Sequence, residues 1–199
     1  MAILTLPLII FSLLALTAFD ATAATTSTNN FIQAKCSSTA YPKVCVQSLS
    51  TFATKIRKSP RQLAQTALIV SLAKARYAKT YVAHLARYDG LRPREVGSVQ
   101  DCLEVIGDTV DRLSKSVHEF HTAVQAQSRD FLWHMSNVQT WASAALTDEN
   151  TCVDGFEGPG INGRTQNAIK AQLESVMQCT SNALALVNQF ASKYSPKNV

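Results

Sequence analysis

Residues 99–124 read VQDCLEVIGDTVDRLSKSVHEFHTAV, and this stretch decides the fold. Val99, Leu103, Ile106, Val110, Leu113, Val117, Phe120 and Val124 recur at steps of four and three without a miss. That is the period of a helix that lays one apolar seam against its neighbours. The same pattern repeats on either side of it. Upstream, Ser59 and Pro60 supply an N-cap and a first-turn proline for a helix running to about Tyr88. It sets Leu63, Leu68, Val70, Leu72, Val82 and Leu85 among many alanines, a mixture that permits close helix approach. Asp89-Gly90 ends it and Pro93 allows the next to begin. Downstream, a third helix from about Ser128 carries Phe131, Met135, Val138, Ala142 and Ala145. A fourth follows the Gly155 to Gly163 loop with Ile169, Leu173, Val176, Ala183, Val187 and Phe190, Thr180 being its one polar seam member. Four amphipathic helices with short connections predict an all-α, up-down-up-down four-helix bundle over residues 59–199.

The first 58 residues divide in two. Leu4 to Leu16 is an apolar run too short to span a membrane, and Ala21-Thr22-Ala23 is a small-x-small cleavage pattern, so residues 1–23 read as a signal peptide and the mature chain as secreted. Residues 24–58 read as a polar lead-in, Thr25 to Asn30, followed by short helical pieces from Phe31 to Lys58 around a turn at Tyr41-Pro42. An exported chain with four pairable thiols predicts two disulfides. Cys36 and Cys45 would clip a small hairpin. Cys102 and Cys152, near the start of the second long helix and the end of the third, would staple two antiparallel neighbours, leaving Cys179 over.

Composition narrows the function classes. Without the leader there are 19 Lys and Arg against 14 − 1 = 13 Asp and Glu, a mild excess that favours weak association with a polyanion such as an acidic polysaccharide. Export, and the lack of a basic run with interleaved aromatics, argue against nucleic acid. There is no Gly-x-Ser-x-Gly, no Gly-rich phosphate loop and no His-Glu-x-x-His, so neither an enzyme nor a cofactor is expected. His118 and His121 share a helix face but lack the further ligands of a metal site, and read as flanking the seam. Cys179 reads as a free, buried, apolar-like thiol, and Trp133 and Trp141 as packing anchors or surface caps.

One polar feature resists a purely structural reading. Asp101, Glu104, Asp108 and Asp111 recur at three, four and three, forming a stripe about one residue's rotation from the seam. Asp108 with Arg112 and Asp111 with Lys115 have the favourable i to i+4 order, which accounts for part of it. Glu104 and Asp108 are a like-charge i to i+4 pair costing about 0.2–0.5 kcal/mol, too far from the helix start for the macrodipole to offset. A local cost without local benefit points to a partner. If Cys152 is bonded to Cys102, Thr151 and Asp154 come beside Glu104 and the stripe and turn become one acidic patch.

At these residues the chain resembles a known family. Tyr41-Pro42 before Cys45, Asp101-Cys102-Leu103-Glu104 with Asp108-Thr109-Val110-Asp111, Val138-Gln139-Thr140-Trp141 with Ser143 to Thr147, Thr151-Cys152-Val153-Asp154-Gly155-Phe156, and Thr180-Ser181-Asn182-Ala183-Leu184-Ala185-Leu186 are similar to the plant invertase and pectin methylesterase inhibitors. The likeness runs in order from about Phe31 to about residue 195. It implies a bundle preceded by a helical hairpin, bonds Cys36–Cys45 and Cys102–Cys152, and a free fifth cysteine. It also implies a secreted, non-enzymatic protein of the apoplast that binds one enzyme molecule and covers its catalytic cleft. By resemblance, target contact falls to Glu104, Asp108, Asp111, Thr151 and Asp154, with Gln139 as a further position. Asp154-Gly155-Phe156 and the Thr180 to Leu186 ending look more like the pectin methylesterase branch. The Pro-Lys-Phe element of invertase inhibitors is missing, Pro42-Lys43 being followed by Val44 and Pro196-Lys197 by Asn198. Acid invertase is the alternative target, and a secreted helical carrier of an apolar ligand is the alternative of a different class.

Overall fold

The computed structural model describes residues 25–87, 89–126, 130–161 and 163–194; the leader over residues 1–23 and the expected helix start at Ser128 lie outside them. Helix α1 covers residues 25–36, α2 Pro42–Leu49, a 3-10 turn Ser50–Phe52 and α3 Ala53–Ile56. The long helices are α4 Pro60–Leu85, α5 Pro93–Ala126, α6 Phe131–Asp154 and α7 Gly163–Ala191. Each long helix packs on the next and α7 returns to α4, so the four close the expected up-down-up-down ring. The lead-in differs from its reading. Thr25 to Asn30 is helical and continuous with α1, and Thr28 is buried, because this turn lies on the bundle instead of in water.

Local chemistry sets the ends. Ser59 accepts a hydrogen bond from the Gln62 amide at 3.3 Å and Pro60 occupies the first turn, so α4 starts where its sequence demands. It stops at Leu85, short of Asp89-Gly90. The Glu95 carboxylate accepts from the Arg92 amide at 2.8 Å, satisfying a donor that the start of α5 would otherwise leave without a partner.

The core forms two continuous clusters along the bundle. One holds Leu72, Val82, Val99, Ile106, Leu113, Ile169, Leu173 and Phe156; the other holds Leu63, Leu68, Phe120, Met135, Val138, Leu186 and Phe190, closed at its end by Ile32, Leu49 and Ile56 of the hairpin. Fully burying each large side chain contributes about 1.5–3 kcal/mol, so truncating Phe120 to Ala would cost about 3–5 kcal/mol. The seam of α5 is rotated from its sequence reading. Val99, Cys102, Ile106, Thr109, Leu113, Ser116, Phe120 and Ala123 are buried, whereas Leu103, Val110, Val117 and Val124 are only partly so. Small residues are what let α5 approach α6: the Ser116 hydroxyl donates to the Val138 carbonyl of α6 at 3.1 Å, and Cys102 is bonded to Cys152 with Cα atoms 4.6 Å apart. The seam of α7 is as read, with Ile169, Leu173, Val176, Thr180, Ala183, Val187 and Phe190 all buried.

Cys36 is bonded to Cys45, closing the hairpin, and Cys179 is free and buried, its thiol pushed up by burial. The hairpin turn is pinned to α7. Asn182 accepts from the Tyr41 amide at 3.1 Å and donates to the Tyr41 carbonyl at 2.9 Å, and Gln189 donates to Ser38 Oγ at 3.0 Å.

Candidate functional site: the acidic face of α5 and α6

Glu104, Asp108 and Asp111 are exposed on α5, and Asp101 continues the row. At 1.5 Å per residue the four span about 15 Å along the helix. The i to i+4 ion pairs expected along this row do not form. Arg112 turns instead to Asp148 of α6, Nε to Oδ2 2.7 Å, and Lys115 lies over the Trp141 ring, 4.7 Å from its centroid. The Arg112–Asp148 contact is an ion pair without hydrogen-bond alignment, since Asp148 Oδ2 has no aligned donor. Both cations are drawn across the α5–α6 groove because partly buried carboxylate and indole offer a less screened partner than a carboxylate in water. Asp101, Glu104, Asp108, Asp111 and Asp154 are left without an ion pair to any described residue.

The groove fixes where the row points. Antiparallel register is set by Cys102–Cys152 at one end, Ser116 with Val138 in the middle, and Glu119 with His134 and Asn137 further along, both at 2.8 Å. Burial pushes the Glu119 carboxyl up, but the bonds from Asn137 and His134 and the histidine charge outweigh it and hold the carboxyl below its ordinary range. Asp148 moves the other way. Burial raises it, and Asp108 raises it further, against the pull of Arg112. On the α4 side, Lys79 Nζ would stand 3.3 Å from a Cβ at position 107, so Gly107 leaves the space this side chain occupies, and Arg76 donates to Ser114 at 3.5 Å. The carboxylate row is therefore framed by cations that are held on its borders.

Thr151 and Asp154 are exposed in the last turn of α6, and the disulfide beside them brings this turn to the Glu104 end of the row. The following loop is pinned by buried Phe156, by Arg94 donating to the Glu157 carbonyl at 3.3 Å, and by Lys170 paired to Glu157 at 3.2 Å. Gln139 is not part of this cluster. Its amide donates to Asn188 of α7 at 2.9 Å, which places it on the opposite flank of α6 from Trp141 and Asp148. His118 and His121 are exposed, and among the described residues no group of three or more potential ligands is arranged to hold a metal.

Sequence reasoning missed Glu149. It is fully buried at the junction of α4, α6 and α7, where Thr180 donates to its Oε1 at 2.9 Å and Thr180 Oγ1 lies 2.6 Å from Ser71 Oγ. Oε2 has no partner, and burial pushes the carboxyl up to about 8, so it is neutral at physiological pH. The signal was present: Met135, Val138, Ala142, Ala145, Glu149 and Cys152 continue one seam at steps of three and four.

Residues 30–186 match the family model "Plant invertase/pectin methylesterase inhibitor". The chain is 51% identical over 166 residues to pectinesterase inhibitor 11 of Arabidopsis thaliana, covering 83% of this chain and 82% of that one. It is 48% identical over 192 residues to pectinesterase inhibitor 9 of the same plant, covering 95% and 94%. A crystal structure of a mutant form of a pectin methylesterase inhibitor from Arabidopsis superposes with a TM-score of 0.63 at 18% identity, over 82% of this chain and 95% of that one, which shows the shared fold. The chain belongs to the plant invertase/pectin methylesterase inhibitor family, in the branch of its pectin methylesterase inhibitors.

Proposed function

We propose that the protein is an extracellular inhibitor of pectin methylesterase, itself without catalytic activity, that binds one enzyme molecule and lays the acidic face of α5 and α6 across the mouth of the catalytic cleft. What supports this most is the unpaired carboxylate row Asp101, Glu104, Asp108 and Asp111, held in register with Thr151 and Asp154 by the Cys102–Cys152 bridge. Rows of unsatisfied charge on a rigid helix pair suit a protein partner, because the helices contribute orientation without an ordering cost at binding. The named relatives are themselves inhibitors of pectinesterase. Mechanistically the face excludes the esterified polymer from the cleft and reacts with nothing, and its carboxylates occupy positions that uronate groups of the substrate would take. No helix among the described residues is long and apolar enough to cross a membrane, which is compatible with release outside the cell after cleavage of the residues 1–23 leader. Parallel titration of plant pectin methylesterase and acid invertase with the mature chain tests the reading. Stoichiometric loss of esterase activity with invertase unaffected is expected. Inhibition of invertase alone would overturn it.

A further inference from the structure

Charge is segregated along this chain in a way the proposed inhibitory face does not use. Residues 25–87 contain ten of the 19 Lys and Arg residues and no Asp or Glu. Their densest part is Lys55-Ile56-Arg57-Lys58-Ser59-Pro60-Arg61, the connection from α3 to α4. Ile56 is fully buried and anchors the turn, while Lys55, Arg57, Lys58 and Arg61 are exposed, and among the described residues no carboxylate pairs with any of the four. The backbone here is tightly tied. Arg57 N–H donates to the Ala53 carbonyl at 3.0 Å, Ser59 N–H to the Ile56 carbonyl at 2.9 Å, and Arg57 Nε to the Thr54 carbonyl at 3.1 Å.

Arg57 and Lys58 both adopt left-handed backbone, φ 45° and 57°. Two consecutive side-chain-bearing residues in that region are costly where glycine or asparagine would be relaxed. Arg57 is the left-handed C-cap that closes α3, so this conformation fixes where the two exposed cations stand. Phe52, 38% exposed, lies three residues before Lys55 in the chain and is a partly accessible aromatic ring. The turn is also remote from the acidic row. Lys79, which abuts Gly107 of α5, is 19 residues along α4 from Pro60, about 30 Å at 1.5 Å per residue.

We propose that the Lys55–Arg61 turn anchors the protein to a linear polyuronate, the de-esterified form of an acidic cell-wall polysaccharide, with its cations on the polymer's carboxylates and Phe52 against a sugar ring. The choice of this polyanion rests on the inhibitor reading above; the cationic turn does not. Methyl esterification removes the charge the turn would grip. Anchoring would therefore gather the inhibitor where an esterase has already acted and leave the acidic face free to meet the enzyme, a brake placed by its target's own product.

Binding of the mature chain to immobilised polygalacturonate and to the same polymer methyl-esterified tests this across a salt series. Binding should favour the de-esterified polymer and weaken steeply with salt. The Lys55→Gln/Arg57→Asn/Lys58→Asn/Arg61→Gln variant should bind about tenfold more weakly than Arg76→Gln/Lys79→Gln/Arg87→Gln/Arg92→Gln, which removes the same charge elsewhere. The double variant Lys55→Gln/Arg61→Gln, which leaves the strained pair untouched, should lose about threefold. Equal losses in the two quadruple variants, no preference between polymer forms, or equally tight binding to phosphatidylserine vesicles would overturn the proposal. Esterase inhibition, measured with a short uncharged ester, should be the same for the turn variants and wild type. Polyuronate binding by a wild-type chain that inhibits no esterase would remove the inhibitor reading and leave the anchor standing.

Discussion

Replacing Glu149 by Gln should flatten the dependence of stability on pH. The carboxyl is fully buried, has one oxygen bonded by Thr180 and the other without a partner, and burial pushes it from 4.5 up to about 8. The difference, 8 − 4.5 = 3.5 pH units, puts the cost of ionising it in place at about 5 kcal/mol. An acid whose folded value is raised keeps its proton in the native state while the unfolded chain has lost it, so the unfolded chain binds fewer protons and stability falls as pH rises. The contribution is complete below about 4.5 and is lost on the way to about 8. Between pH 5 and pH 7 the loss is about 2–3 kcal/mol. The amide of Glu149→Gln would retain an oxygen for Thr180 and cannot ionise, so the variant's pH 5 to pH 7 difference should be smaller by that amount. Urea unfolding of the oxidised mature chain, followed by circular dichroism at pH 5, 6, 7 and 8, measures both slopes. Glu119, lowered, titrates in both proteins and cancels in the comparison, whereas Asp148, also raised, is coupled to Glu149 by charge and belongs with it in the difference. Parallel slopes for wild type and Glu149→Gln would refute the argument that this buried carboxyl is neutral in the fold.

Three more expectations are independent of that one. Glu104→Lys or Asp108→Lys should weaken esterase inhibition about tenfold or more while circular dichroism is unchanged; inhibition indifferent to both substitutions would dismiss this face as the contact. Cys102→Ser/Cys152→Ser opens a loop of 50 residues and should cost about 4 kcal/mol in the chain-entropy model, against about 2.6 kcal/mol for the nine-residue Cys36–Cys45 loop, so the reverse order in urea midpoints would show that the bridges do not act mainly on the unfolded chain. A double-mutant cycle on Arg112→Gln and Asp148→Asn should give a coupling of about 0.5–1 kcal/mol, modest because the arginine side chain is 33% exposed; a coupling of zero would return Arg112 to its own helix and to Asp108.

What could be read without coordinates, and what could not, separates by the range of the forces. Helix number and order, the caps at Ser59 and Pro60, the α7 seam with its polar Thr180, and the disulfide frame all follow from local periodicity, local hydrogen bonding and thiol spacing. Rotation of α5 did not, because Thr109 and Ser116 are polar in sequence and become core residues only where α6 approaches closely. Asn182 and Thr180 in the closing motif give no hint of their partners, since Tyr41 lies 141 residues from Asn182 and Glu149 lies 31 from Thr180.

The acidic row shows the same division. Its composition and its helical stripe were determined by the sequence alone, along with the unfavourable Glu104 to Asp108 neighbour pair. Tertiary structure decided whether the row would be neutralised. On an isolated helix Arg112 and Lys115 would face Asp108 and Asp111 at i to i+4. In the bundle Asp148 and Trp141 stand across a partly desolvated groove and draw both cations away, leaving the carboxylates of α5 to face solvent and a partner.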